Sequence, residues 1–208
     1  MIRKLLSGYR ALKLASAAFA TTARLPQLGT LDAYLQSFCP LAPALKDATA
    51  LDIGCGPNPQ NPFQAGRLFG LDVRENAEKN VKRADLAIEP IPYADATFDY
   101  VTAHDFLEHI PRVAYTPGMR FPFVELMNEI WRVLKPQGIF MSYTPIYPYA
   151  AAFRDPTHVN IMTDETFPLY FDNRSRLASA YGFRGAFEIL GQALSPPQLV
   201  SVLRKDVV

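Results

Sequence analysis

Ala50-Leu51-Asp52-Ile53-Gly54-Cys55-Gly56-Pro57 is the stretch that decides the fold. It is an apolar run that carries an acid and then breaks into two glycines spaced one apart. A second apolar run, Phe69-Gly70-Leu71-Asp72-Val73, places another acid 20 residues after the first. A strand, a tight glycine loop, a helix and a second parallel strand build a nucleotide pocket in this way. Glycines lack a Cβ and tolerate positive φ, so the backbone can approach a ligand closely. An acid at the tip of the second strand accepts hydrogen bonds from a ribose diol.

Outward from this unit, the apolar runs predict strands over 49–53, 69–73, 81–86 and 98–103. The clearest helix covers 122–134, with Phe123, Val124, Met127, Ile130, Trp131 and Leu134 on one face. Pro122 suits its first turn, and Pro136 with Gly138 ends it. A fifth strand follows at 139–144, then a helix from 164 to 171, and two closing strands at 182–190 and 199–204 joined by a Pro-Pro loop. Helices are also expected over 2–20 and 30–38, before a Pro-rich joint at 39–43.

The loop narrows the ligand. A dinucleotide fingerprint needs a third glycine, where this chain has Asn58, and prolines at 57 and 59 remove backbone donors that a pyrophosphate would use. Three later segments add to the pattern: Ala84-Asp85-Leu86, then Pro90-Ile91-Pro92-Tyr93-Ala94-Asp95-Ala96-Thr97-Phe98-Asp99, then His104-Asp105-Phe106-Leu107-Glu108-His109. Asn128-Glu129-Ile130-Trp131-Arg132-Val133-Leu134-Lys135-Pro136-Gln137-Gly138 completes it. Together these resemble the class I S-adenosylmethionine-dependent methyltransferases, over roughly residues 48–144.

That resemblance implies one doubly wound, Rossmann-like α/β domain, a seven-stranded mostly parallel sheet with an antiparallel last strand. It implies S-adenosyl-L-methionine as cofactor. Asp52 would orient the loop, and Gly54, Cys55 and Gly56 would bring backbone to the methionine part. Asp72, followed by Val73, would accept from the ribose hydroxyls. Asp85 would read the adenine amino group with Leu86 packed on the ring, and His104 would line the pocket. Glu108 and His109 are read as pinning a short helix. The prolines at 57, 59 and 62 set this chain apart and predict that the first helix of the fold is distorted or nearly absent.

Composition sets the remaining bounds. The 208 residues suit one sizeable domain, here divided into an N-terminal helical extension over 1–45 and the methyltransferase domain over 46–208. A formal net charge of +1 argues against a general nucleic-acid binder. The balance is uneven: five basic residues precede Asp32, leaving −4 for the remainder. Residues 1–23 are read as a helix packing on the core rather than a cleaved signal, because Lys13 interrupts the apolar part. Contact of its basic face with a membrane surface is the alternative. No run reaches the roughly 20 apolar residues of a membrane span. With only Cys39 and Cys55, no disulfide framework or metal cluster is expected, and a reducing cytoplasmic location follows.

The sulfonium carries its own leaving group, so the protein's task is to hold acceptor and methyl in line. A hydroxyl acceptor gains from a general base. The candidate is His158 in Asp155-Pro156-Thr157-His158-Val159, with Asp155 orienting its ring. This string resembles a segment of methyltransferases associated with polysaccharide and lipopolysaccharide clusters. It implies O-methylation of a sugar hydroxyl on a glycan or glycolipid precursor. A small carboxylate, amine or quinone-like acceptor, and a non-catalytic nucleotide-binding module, are the alternatives. A metal is not expected, although Asp105, Asp155 and His158 have suitable chemistry.

Overall fold

The computed structural model describes residues 24–38 and 46–206, with Gly8 and Leu12 besides. The helix expected over 2–20 and the joint at 39–43 lie outside these residues, apart from Gly8 and Leu12, which are helical and exposed.

Seven strands form one sheet in the order β3-β2-β1-β4-β5-β7-β6. They are β1 (Thr49–Ile53), β2 (Arg67–Asp72), β3 (Val81–Arg83), β4 (Phe98–His104), β5 (Leu134–Pro145), β6 (Phe187–Ser195) and β7 (Gln198–Lys205). β1 lies between β2 and β4, parallel to both, and every one of its residues is buried. Cover on both faces explains why it reads as a continuous apolar run rather than an alternating one. β7 inserts antiparallel between β5 and β6. A hairpin turning at Pro196-Pro197 places it there, so the expected antiparallel last strand is present.

The larger core lies under the helix α2 (Pro122–Val133). Phe123, Leu126, Met127, Ile130 and Val133 are buried there, as their helical spacing requires. Trp131 packs at the rim and donates its indole N–H to the Ala186 carbonyl at 3.0 Å. The other face is covered by α1 (Leu31–Gln36), capped by the Thr30 hydroxyl, whose Leu35 joins Phe63, Met141, Val200 and Val202. Ahead of α1, Leu28 N–H donates to the Leu194 carbonyl and Leu194 N–H to the Pro26 carbonyl, both at 2.8 Å, which ties residues 26–28 to β6.

Between β1 and β2 there is no helix; residues 54–66 run as turns and bends. Phe63 substitutes for the missing helical cover by stacking on Tyr100 at 4.3 Å. Two sequence motifs prove to hold each other. Arg132 of α2 pairs with Glu129 and Asp95 and donates to the carbonyls of Ile91 and Tyr93, while Glu129 accepts from the Ile91 N–H. The 90–99 segment is thereby pinned to the helix. Asp99 accepts from Thr49 N–H at 2.8 Å and from the Lys135 ammonium at 2.8 Å, tying β4 to β1 and to the start of β5. Burial opposes its ionisation, yet the hydrogen bonds from Lys135 and Thr49 outweigh that and hold its carboxyl below the usual range.

Candidate active site

The carboxyl ends of β1, β2 and β4 converge, which is where open α/β sheets bind ligands. Gly54 and Gly56 turn the chain at φ +64° and +59°, the left-handed region that disfavours side chains. A Cβ on Gly56 would meet nothing within 4 Å, so this backbone is open to a ligand. Gly54 differs: a Cβ there would lie 2.1 Å from the Phe106 ring. Its missing side chain makes room for Phe106.

Asp72 turns toward the bend. Its Oδ2 accepts from the Gly56 N–H at 2.9 Å and its Oδ1 from the Arg74 N–H at 3.2 Å. The carboxylate thus fixes the loop and retains lone pairs for a diol. Asp52 holds the loop from below. Its Oδ2 accepts from the Gln60 N–H at 2.7 Å, and its Oδ1 from the Thr102 hydroxyl at 2.8 Å and His104 Nδ1 at 3.3 Å. Facing an acceptor-only carboxylate, that Nδ1 carries the hydrogen. His104 Nε2 is buried with no protein partner among the described residues.

Cys55, Val73, Asp85 and Leu86 are the remaining expected cofactor residues. Cys55 lies half-buried against Gly70 of β2, and burial, with Asp52 and Asp72 nearby, pushes its thiol up to about 12. It remains a neutral packing group. Val73 is exposed just beyond Asp72. Leu86 is buried in the main core. Asp85 Oδ1 accepts from the Ala87 N–H at 3.1 Å, an Asx turn that occupies one of its oxygens.

A second group lies two residues beyond Phe106. Glu108, His109 and His158 each bring one ligand-type atom within 4.8 Å of the others. Glu108 is buried; its Oε2 accepts from the Thr144 hydroxyl at 2.7 Å and its Oε1 has no partner. Burial raises its carboxyl above the ordinary value, against the Thr144 hydrogen bond. His109 and His158 meet edge to face, centroids 4.8 Å apart. Asp155 is placed differently from the sequence expectation. Its Oδ1 accepts from the Thr157 N–H and hydroxyl at 2.8 and 2.6 Å, and the Thr157 oxygen lies 3.0 Å from His109 Nδ1. Asp155 therefore orients His109 through Thr157, and no hydrogen bond joins its carboxylate to the His158 ring. Asp105, the other acid weighed beside His158, is not one of these three, although its charge adds to burial in raising Glu108.

A family model described as a methyltransferase domain matches residues 51–142. Over that stretch the chain is similar to the S-adenosylmethionine-dependent methyltransferases. It is 28% identical over 150 residues to squalene methyltransferase 1 of Botryococcus braunii, covering 64% of this chain and 36% of that protein. It is 32% identical over 112 residues to a demethylmenaquinone methyltransferase of Listeria monocytogenes, covering 45% of this chain and 43% of that one. The chain thus spans less than half the length of these relatives. Among solved structures it shares the fold of the Burkholderia thailandensis 1,6-didemethyltoxoflavin-N1-methyltransferase with bound S-adenosylhomocysteine. There the TM-score is 0.53 at 14% identity, covering 99% of this chain and 90% of that one. The open backbone at Gly56, the Asp72 carboxylate beside it and the orphaned His104 Nε2 fit S-adenosylmethionine as the resident cofactor of this methyltransferase fold.

Proposed function

We propose that this chain transfers a methyl group from S-adenosylmethionine to a hydroxyl of a glycan or glycolipid precursor. The observation that carries the cofactor half is the Asp72 carboxylate at 2.9 Å from the Gly56 N–H, beside a left-handed glycine with open space where a side chain would stand. When bound, the cofactor supplies an electrophilic methyl and its own leaving group. The residues of the chain do the rest. Asp72 accepts from the ribose diol, Asp85 from the adenine amino group with its free oxygen, and His104 Nε2 accepts from a polar hydrogen of the ligand. Asp52 keeps the bend in place, and positioning of this kind supplies much of the rate of an in-line displacement.

The acceptor side is the cluster at 108–109 and 155–158. It follows by two residues Phe106, which itself packs on Gly54, and we place the acceptor there. His158 is the group through which an acceptor hydroxyl loses its proton, and Asp155 contributes by positioning. Exposed Tyr147 and Phe153, edge to face at 6.3 Å on the segment leading to Asp155, offer ring faces to sugar C–H surfaces. A quinone-like acceptor is the second reading. It is favoured by the relatives named for squalene and demethylmenaquinone. A cavity of about 410 Å3 behind Arg112, lined by Phe121, Phe123, Leu169, Tyr170 and Tyr181, also favours it.

Among the described residues no helix is long and apolar enough to cross a membrane. We place the enzyme in the cytoplasm, with no nucleic-acid partner and a small-molecule or glycan acceptor. Transfer of tritium from methyl-labelled cofactor into fractionated cell-envelope extract tests the acceptor. Label in a saccharide fraction supports the glycan, label in the quinone fraction moves the assignment to the second reading, and the absence of S-adenosylhomocysteine binding in a calorimeter overturns both.

A further inference from the structure

We infer that Glu108, His109 and His158 form a binding site for one divalent transition-metal ion, against the sequence expectation of no metal. Glu108 Oε1 is buried on a residue only 1% exposed and has no hydrogen-bond partner, and His158 Nδ1 is a second buried atom without one. An unpaired polar atom in such a place costs free energy unless something satisfies it. Both residues belong to a group in which one ligand-type atom of each lies within 4.8 Å of the others.

The surrounding hydrogen bonds are those a metal centre needs. The Thr157 hydroxyl donates to Asp155 Oδ1, so its oxygen is left to accept from His109 Nδ1–H. That fixes the tautomer and leaves His109 Nε2 with the lone pair. A ligating histidine held through its other nitrogen by a carboxylate-bound partner is the usual outer shell of such sites. The scaffold is rigid as well. Val159 and Asn160 N–H groups both donate to the Glu108 carbonyl at 2.9 Å, and the Asn160 amide donates to the Leu107 carbonyl at 3.0 Å. The two stretches of chain that carry the ligands are thereby stapled face to face. Bonds of about 2.0–2.2 Å put tetrahedral ligands roughly 3.3–3.6 Å apart, so the widest pair here closes by roughly an ångström on binding. Rotation of the two partly exposed imidazoles provides that movement.

Two imidazoles and one carboxylate suit zinc, cobalt, iron or manganese in the divalent state and leave at least one position open. A hydroxyl seated there has its O–H bond weakened by the ion and gives its proton to water. The ion acts as a Lewis acid while water carries the proton away, and His158 is then a ligand and not the base. The ion site itself stands on the cluster alone, while this use of it rests on the methyl-transfer reading.

The test uses the full chain, stripped with a chelator and titrated with Co2+ and Zn2+. One ion per chain is expected, with visible Co2+ absorption bands and a raised melting temperature. His109→Ala, His158→Gln and Glu108→Gln should abolish the bands while circular dichroism shows a folded chain. Thr157→Ala, which touches no ion, should weaken binding by about 10–100-fold. Failure of the wild-type chain to take up either ion, or uptake indifferent to His158→Gln, overturns the site. S-adenosylhomocysteine binding to the ion-free wild-type chain is measured alongside, so loss of the methyl-transfer reading is seen separately.

Discussion

Replacing Asp72 with asparagine separates the two tasks of one carboxylate. In the free protein Asp72 accepts two backbone N–H groups, from Gly56 and Arg74. Asparagine offers one oxygen, so one of these donors loses its partner, at a cost of about 1 kcal/mol. For a domain of this size that lowers the melting temperature by about 2–4 °C. The effect on cofactor is larger. Hydrogen bonds to a charged acceptor are worth about 1.5–3 kcal/mol, against about 0.5–1.5 for neutral pairs. The Asp72 side chain is only 13% exposed, so water screens little of that difference. Loss of the charge under two ribose hydroxyls removes roughly 2–3 kcal/mol, which is about 30–150-fold in dissociation constant. Calorimetric titration of S-adenosylhomocysteine into wild type and Asp72→Asn measures it directly. An unchanged affinity in a variant that melts within a few degrees of wild type would refute the assignment of Asp72 to the ribose, and with it the placement of the cofactor at this bend.

Other substitutions report on neighbouring parts of the argument. Gly56→Ala carries only the left-handed backbone strain, about 1–2 kcal/mol, whereas Gly54→Ala adds a collision with the Phe106 ring; melting curves should rank Gly54→Ala clearly lower. Arg132→Ala releases the 90–99 segment and leaves two carbonyls and two carboxylates without their partner, so it should lower the melting temperature. Because the depressed Asp99 carboxyl stabilises the fold above its unfolded value of about 3.9, that contribution is lost as pH falls through its lower folded value. Asp99→Asn should flatten the acid limb of a stability profile. Glu108 has the opposite sign. Its folded value is raised, so its contribution is full below about 4.3 and lost as pH rises through the folded value. In ion-free protein Glu108→Gln should remove that decline, as denaturant midpoints measured across the acid range will show.

The sequence-to-fold step worked where packing is two-sided. β1 occupies Thr49–Ile53 as expected, because five buried residues between two parallel neighbours leave only an apolar run. The helix over 122–134 is found at Pro122–Val133, since its apolar stripe has one sheet face to meet. Edges were less legible. β5 begins at Leu134 rather than Ile139 because Leu134 pairs with Phe98 across an irregularity in register, a tertiary event that no local pattern announces. β3 ends at Arg83, after which Asp85 turns the chain by bonding Ala87. The expected loss of the first helix had a local cause in three prolines, and Asp52 explains how the loop holds without it, by hooking the Gln60 N–H.

The candidate site divides along the same line. The cofactor half is read from residues close in sequence to strand ends, so Asp52, Gly56, Asp72 and His104 all fall at the bend. The acceptor half depends on a meeting of segments some fifty residues apart, with Thr157 and His109 separated by 48 positions. From sequence alone Glu108 and His109 read as helix pins, and Glu108 does pin: its Oε2 accepts from Thr144 of β5 and its carbonyl anchors residues 159 and 160. Its Oε1 is left over. Reading Asp155 as the partner of the histidine three residues on followed spacing, but Thr157 intercepts that carboxylate and passes its influence to His109. The signal was present in the string Asp155-Pro156-Thr157-His158, where a proline followed by a hydroxyl residue favours an Asx turn that uses the acid locally. An acid committed to a turn makes no hydrogen bond to the next imidazole, which leaves His158 Nδ1, with Glu108 Oε1, the unsatisfied feature of the proposed acceptor side.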